Sequence, residues 1–164
     1  MFIFSIKTSK RKIITQIVLI LVLIIILGIF FTTLNACSKE AVCPIGKYNL
    51  SAEDNSARIN FLNQFGWEVA EEPTEITTVT IPSEFNATYE KYNDIQREQG
   101  LDLTKYQEKK CTRYTYQILN YKNATQGVRA NLLVLNNKVI GGDISSVALN
   151  GFVHGFFHPD KTHA

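Results

Sequence analysis

An unbroken apolar run near the start of the chain constrains its fold more than any other feature. Every residue from 17 to 31 is apolar or glycine, and only four polar side chains interrupt residues 13–34. A helix that crosses a bilayer needs about 20 such residues. A domain of ordinary size rarely encloses a helix that is apolar on every side, which argues against a buried core helix. The sequence therefore predicts a single transmembrane helix over residues 13–34.

The charges around this run predict its orientation. Four basic side chains precede it: Lys7, Lys10, Arg11 and Lys12. Basic residues beside a membrane helix stay in the cytoplasm, so residues 1–12 are predicted to be a cytoplasmic tail and the rest of the chain to lie outside. Residues 37–164 carry 13 basic and 15 acidic side chains. Nucleic-acid binding is not expected, because it depends on a concentrated basic face.

The end of the run leaves open whether it is cut. Leu34-Asn35-Ala36-Cys37 resembles a bacterial lipobox, in which cleavage leaves an acylated cysteine as the new N-terminus of a lipoprotein on the outer face. The length of the apolar run favours an uncut anchor instead, and secretion after ordinary cleavage is the third alternative. All three place the domain outside the cytoplasm, with the lipid bilayer as a partner of the first two.

The cysteine count bears on the same choice. The chain has Cys37, Cys43 and Cys111, an odd number for an oxidising compartment. Lipidation of Cys37 would leave Cys43 and Cys111 to form a disulfide. The alternative is that both remain thiols, one of them a small buried apolar residue. Their spacing does not match the paired cysteines of a zinc site.

The chain after the membrane segment divides into three parts. Residues 35–53 are predicted to be a tether, because Pro44 and Gly46 interrupt them and no hydrophobic period is sustained. Residues 54–156 are predicted to form the folded domain, and residues 157–164 a flexible tail.

Two amphipathic helices are predicted within the domain. The first follows the capping side chain of Asp54 and stops at Gly66; the second begins at Pro82, whose fixed φ suits a first helical turn, and stops at Gly100. Their apolar residues recur at spacings of three and four: Ile59, Phe61, Leu62 and Phe65 in the first, and Phe85, Tyr89, Tyr92 and Ile95 in the second.

Four segments have the alternation or the β-branched content of strands: residues 74–81, 110–121, 128–135 and 138–149. Asn136-Asn137 suits a two-residue hairpin turn between the last two, because asparagine tolerates positive φ. The order of elements predicts an α+β fold, in which two helices pack on one face of a mainly antiparallel sheet.

Four segments together resemble a known family: FLNQFGWEV (61–69), IPSEFNATYEKYNDIQREQGLDLTKY (81–106), RYTYQILNY (113–121) and VRANLLVLNNKVIGGDISSVALNGFVHGF (128–156). They are similar to the bacterial DUF4830 family of membrane-anchored domains of unknown function. The resemblance covers most of residues 58–156 and implies an uncut anchor rather than a lipobox. It brings no known activity with it.

The glycine pair in Gly141-Gly142-Asp143 contradicts the strand around it. Two glycines weaken a strand, so they indicate a β-bulge with positive φ or a close backbone approach. The preferred interpretation is a bulge whose aspartate caps a turn. The alternative is a ligand-binding site made by these three residues with Arg113.

The histidines near the C-terminus offer a weaker site. His154 and His158 are four residues apart, a spacing that could place two metal ligands on one helical face. Gly151, Gly155 and Pro159 argue against a helix there. A solvated tail is the preferred interpretation, and no metal or other cofactor is expected.

These observations predict a non-catalytic interaction domain at the outer face of the membrane that binds an envelope protein, a peptide or a glycan. The prediction rests on the lack of a recognisable nucleophile with its base, phosphate loop or metal-ligand set. Two alternatives remain. One is a small envelope hydrolase or modifying enzyme that uses Asp143 with Arg113 or a histidine, and the other is a metal-binding sensor.

Overall fold

The computed structural model describes residues 10–34, 40–43, 46–122, 127–148 and 150–157. It contains two compact units, Met1–Ser38 and Lys39–Ala164. The helices are α1 (Lys10–Leu34), α2 (Asn55–Asn63) and α3 (Ala87–Glu98), with a short 3-10 helix at Leu103–Tyr106. The strands are β1 (Glu40–Cys43), β2 (Gly46–Asn49), β3 (Glu75–Thr80), β4 (Lys110–Ile118), β5 (Val128–Leu135), β6 (Lys138–Ser146) and β7 (Val153–His154).

The first unit contains the apolar run, which forms the 25-residue helix α1. Its described side chains, those of residues 14–27, are all exposed. Among the residues that the structure describes, no helix has the length and hydrophobicity needed to cross a bilayer. Cys37, where a lipid would be attached, lies outside the described residues.

The second unit is built on a five-stranded sheet with the order β3-β4-β5-β6-β7, and each neighbouring pair is antiparallel. Strands β1 and β2 form a separate antiparallel pair. Asn136 and Asn137 join β5 to β6 with φ values of 51° and 60°, as a tight hairpin turn requires. The predicted α+β class and antiparallel sheet are confirmed.

The helices cover opposite faces of this sheet, so the prediction that both pack on one face is wrong. Phe61 of α2 lies in one core cluster with Leu132, whereas Tyr89 of α3 packs against a second cluster that contains Leu133. Consecutive strand residues point to opposite faces. Because β5 is apolar on both faces, each face needs a helix to exclude water from it.

The folded domain also begins earlier than Asp54, so the described residues 40–43 and 46–52 are not a tether. Ala41, Tyr48, Leu50 and Ala52 are buried in the same core cluster as α2. A backbone hydrogen bond also joins this segment to the sheet, since the Val139 amide of β6 donates to the Leu50 carbonyl at 2.9 Å. Gly46, interpreted as part of a linker, is the first residue of β2, and Pro44 lies outside the described residues.

The helix ends follow local capping chemistry. Asp54 caps α2 by accepting from the amide of Ala57 at 2.7 Å, as predicted. Helix α3 begins at Ala87 rather than near Pro82, because the side chain of Asn86 accepts from the amides of Thr88 and Tyr89. An asparagine cap satisfies amides that proline would leave unpaired.

The packed domain extends into the predicted tail, since Phe156 is fully buried and Phe157, the first residue of that tail, is partly buried. The rest of the tail, residues 158–164, lies outside the described residues.

Two truncations test the revised boundary. Removing residues 1–38 should leave a folded domain, whereas removing residues 1–53 also removes the buried side chains of Tyr48 and Leu50 and should lower its thermal midpoint by about 10 °C or more. Circular dichroism melting of both proteins measures the difference. Equal midpoints would restore the tether interpretation.

Candidate functional site

The predicted bulge lies beside the glycine pair. Strand β6 pairs Gly141 with Leu133 and Val139 with Val134, which leaves one extra residue, Ile140, between them. Gly142 has a φ of 155°. A Cβ atom at Gly142 would lie 2.1 Å from the carbonyl oxygen of Asn131 and 2.5 Å from the Phe156 ring. The sequence indicates positive φ or a close backbone approach, and Gly142 has both.

Two buried glutamines of the α3 region hold the backbone of Gly142. The Gln96 side chain accepts from its amide at 2.8 Å, and the Gln99 side chain donates to its carbonyl at 3.3 Å. Gln99 also accepts from the amide of Phe156 at 2.6 Å. The side-chain amides of Gln96 and Gln99 thus make the hydrogen bonds to Gly142 that a neighbouring strand would make, at a point of β6 where β7 has already ended. We call Gln96, Gln99 and Gly142 the glutamine clamp.

Asp143 points to the α3 face of the sheet and is 7% exposed. The hydroxyl of Tyr92 donates to Oδ1 at 3.0 Å, and Nδ2 of Asn131 donates to Oδ2 at 2.9 Å. Burial raises the pKa of Asp143, although hydrogen bonds from Asn131, Tyr92 and Ser145 oppose this shift. Burial and the neighbouring aspartate together raise the pKa of Tyr92, which keeps its phenol a donor. Asp143 is therefore enclosed by the domain's own donors.

Asp143 is the inner end of a polar row that crosses four strands. Glu75, Thr115, Asn131 and Asp143 are successive register partners. The Thr115 hydroxyl donates to Oδ1 of Asn131 at 2.9 Å, which orients that amide to donate to Asp143. The row is buried under α3 at Asp143 and reaches solvent at Glu75.

Arg113 lies at the outer end of this row. Its Nη2 donates to Oε1 of Glu75 at 2.6 Å. Hydrogen bonds from Thr77 and from Arg113 lower the pKa of the exposed Glu75 carboxyl. The buried Nε of Arg113 has no partner within the described part of the chain. The sheet thus places Arg113 and Asp143 on one face, where Arg113 bonds to Glu75 and Asp143 bonds to Tyr92 and Asn131. The charge of Arg113 also acts to lower the pKa of Asp143.

A cleft of about 340 Å³ lies away from this row. It is lined by polar and apolar residues of the α2 region and of the segment around the end of β2: Asn49, Ser51, Ala57, Asn60, Phe61 and Gln64. Gln64 bridges its two sides, since its side chain accepts from the amide of Asn49 and donates to the carbonyl of the same residue. None of the residues predicted as a site lines it.

The histidine and cysteine predictions find little support in the described residues. His154 is stacked on Phe152 at 5.3 Å, and its Nδ1 lies 2.6 Å from the Gly155 carbonyl. His158 lies outside the described residues, among which no group of three potential ligands could hold a metal. Cys111 is a buried free thiol whose pKa is raised by burial. The disulfide is therefore not formed in the structure, and the side chain of Cys43 is not described.

The open edge of the sheet is a feature that the sequence did not indicate. Strand β3 is the last strand on its side. The amide of Ile81 donates to Lys109 at 3.0 Å, so alternation directs every second residue of β3 toward β4. The N–H and C=O groups of Ile76, Thr78 and Thr80 must point outward. All three residues are exposed.

The family comparison matches residues 61–144 to the model described as a domain of unknown function, DUF4830. The chain belongs to the DUF4830 family. Comparison with the curated proteins gave no match, and neither did comparison with the solved structures. The matched part of this DUF4830 protein contains the glutamine clamp, the polar row and β3, and it excludes α1 and β7.

The clamp predicts that Gly142→Ala destabilises the DUF4830 domain strongly. The new methyl group would collide with backbone at 2.1 Å and force a strained φ, so the free energy of unfolding should fall by about 2 kcal/mol or more. Gly127→Ala is the matched control, because its methyl would meet only Val147 at an ordinary 3.8 Å. Urea denaturation of both variants measures how much free energy of unfolding each one loses. Equal losses would contradict a special role of the glutamine clamp in the stability of the domain.

The enclosed carboxyl predicts a pH dependence. Because burial raises the pKa of Asp143 above its ordinary 3.8, the unfolded chain loses this proton at lower pH than the folded domain. The associated stability is complete below pH 3.8 and is lost as pH rises through the raised value. The melting temperature of Asp143→Asn relative to wild type should therefore increase between pH 3 and pH 7.

Asp102→Asn provides the control of opposite sign. Burial acts to raise the pKa of Asp102, but hydrogen bonds from Thr104 and Asn93 outweigh it and lower the value. The melting temperature of this variant relative to wild type should therefore decrease as pH rises through the lowered pKa to 3.8, and it should stay level above 3.8. A flat difference for Asp143→Asn, alongside a sloping one for Asp102→Asn, would show that Asp143 has an ordinary pKa.

Proposed function

We propose that this DUF4830 protein is a non-catalytic binding protein, anchored in a cell membrane by α1 with its α+β domain outside the cytoplasm. The apolar run over residues 13–34 supports the anchor, because its length matches the bilayer core. The basic residues before it support the orientation. A lipoprotein anchored through Cys37 is the alternative form of the same attachment.

The open edge of β3 is the observation that carries the binding role. Natural sheets usually protect such an edge with lysine, proline, a bulge or a covering segment. Strand β3 contains neither lysine nor proline, and its pairing with β4 has no register shift. An extended segment of a partner protein could therefore add to the sheet as a further strand through backbone hydrogen bonds. Among the predicted partner classes, this chemistry favours a peptide or protein over a glycan.

Side chains beside the edge would select the partner segment. Ile76 is 59% exposed on the α2 face of β3, so it offers an apolar contact to an incoming strand. Glu75 and Arg113 form an ion pair on the opposite face, with Arg113 about one-third exposed. An added strand with apolar residues on one face and polar residues on the other would match both surfaces.

The geometry of Asp143 favours binding over hydrolysis. A catalytic carboxyl must reach substrate, whereas both oxygens of Asp143 accept hydrogen bonds from Tyr92 and Asn131 and the residue is 7% exposed. Its polar neighbours hydrogen-bond to Asp143 and to one another, so they are already engaged within the domain. The row is best explained as a buried network that fixes the register of the four strands.

Blocking the edge at one backbone amide tests this proposal. Thr78→Pro removes an outward N–H and leaves the bonds to β4 in place, so it should abolish strand addition while lowering the melting temperature by only a few degrees. A photoreactive residue at position 76, in the full-length protein in cells, should form crosslinks to a partner in wild type and lose most of them in Thr78→Pro.

Thr78→Val is the matched control, because it keeps the amide and changes only the hydroxyl. It should crosslink like wild type. Undiminished crosslinking in Thr78→Pro, with the domain still folded, would contradict pairing at the β3 edge.

A further inference from the structure

Exposed apolar side chains concentrate at one end of the sheet. Within the described part of residues 40–157, five large apolar side chains are exposed. One is Ile76, and the other four are Leu119, Val147, Phe152 and Val153, which are 62%, 45%, 36% and 52% exposed. The register pairs Ile118 with Val128 and Val128 with Ser146, so the segments that follow β4 and β6 leave the sheet at the same end. We call the four residues the apolar end.

Ordered contacts hold this surface in place. Phe152 stacks on Tyr121 at 4.9 Å, and Tyr121 stacks on the fully buried Trp67 at 5.6 Å. The Trp67 indole donates to the carbonyl of Phe156 at 2.6 Å. The amide of Val147 donates to Gly127 at 3.1 Å. The exposed apolar side chains therefore lie on segments that ring stacking and hydrogen bonds fix to the core of the domain.

Charge sets this end apart from the rest of the domain. Residues 118–128 and 146–158 contain no aspartate or glutamate, although residues 37–164 hold 15 acidic side chains. Exposed Glu68 adjoins Leu119, whose amide donates to the Glu68 carbonyl at 2.8 Å. Aliphatic and aromatic side chains on segments that themselves carry no acids suit the interface of a bilayer, where aromatic rings lie among the headgroups. Four exposed apolar side chains at one end of a sheet are the kind of surface that marks an interaction site.

We propose that the apolar end docks onto the surface of the bilayer in which α1 is anchored. This inference rests on the anchoring part of the proposed function. Only residues 35–39 separate α1 from β1 in the sequence, so the anchored domain meets that bilayer at high effective concentration and a weak affinity suffices. Strand β3 is at the opposite edge of the sheet from β7, which leaves it accessible to a partner.

Site-specific quenching in vesicles tests the docking. The full chain, with Cys37 and Cys43 replaced by serine and buried Cys111 retained, is reconstituted into phosphatidylcholine–phosphatidylglycerol vesicles that contain spin-labelled lipid. An environment-sensitive fluorophore is attached at Val153→Cys in one sample and at Thr78→Cys in another. We expect quenching at position 153 to be at least threefold that at position 78. Equal quenching at the two positions would overturn the proposal.

Charge substitutions separate docking from nonspecific contact. Leu119→Asp should reduce quenching at position 153 to the level at position 78, and Ile76→Asp should leave it unchanged. Quenching at 153 that survives Leu119→Asp would overturn the proposal. So would a signal at 153 that rises with the number of chains per vesicle, since it would identify a second copy as the occupant.

Flotation keeps failure of the anchor distinct from failure of docking. Chains that float with vesicles after alkaline washing are anchored whatever the fluorophore reports, and quenching is measured only on that fraction. Absence of a floating fraction would contradict the anchor and, with it, the docking. A floating fraction with equal quenching at both positions would contradict docking alone.

Discussion

The backbone of Gly142 is the point on which the domain's packing depends. Its amide and carbonyl are bonded by Gln96 and Gln99, and Gln99 also holds the backbone of Phe156. Tyr48 donates to the carbonyl of Gln99, so the β1-β2 pair is tied to the same centre. Buried amides stabilise a structure only when they are fully bonded, which makes α3, β6, the C-terminal segment and the first hairpin interdependent.

This dependence explains what the sequence could predict about the fold. Long or strongly alternating segments such as β5 and the hairpin at Asn136 were predicted correctly, because their backbone chemistry is local. The short strands β1 and β2 were missed, since four residues cannot display a period. The placement of α2 and α3 on opposite faces was missed because Leu132 and Leu133 make β5 apolar on both sides, a pattern equally compatible with several arrangements.

At the candidate site, too, the sequence predicts what local backbone chemistry decides and misses what tertiary packing decides. The glycine pair correctly indicated a bulge and a close approach, because a missing side chain marks the place where another group must fit. What fills that place could not be predicted: Gln96 and Gln99 look in the sequence like part of the solvated face of α3, and only the fold shows them buried. A polar residue one turn from the end of a helix, facing a predicted glycine bulge, is the signal that could have identified them.

The two edges of the sheet differ in a way that bears on stoichiometry. Strand β3 presents six exposed or half-exposed residues, whereas β7 has only two, and beyond them the glutamine side chains occupy the edge of β6. Fibres of stacked sheets require every unit to offer two edges. A domain that accepts a strand at β3 alone, as proposed, would end any growing sheet after a single addition, so its open strand would not start aggregation.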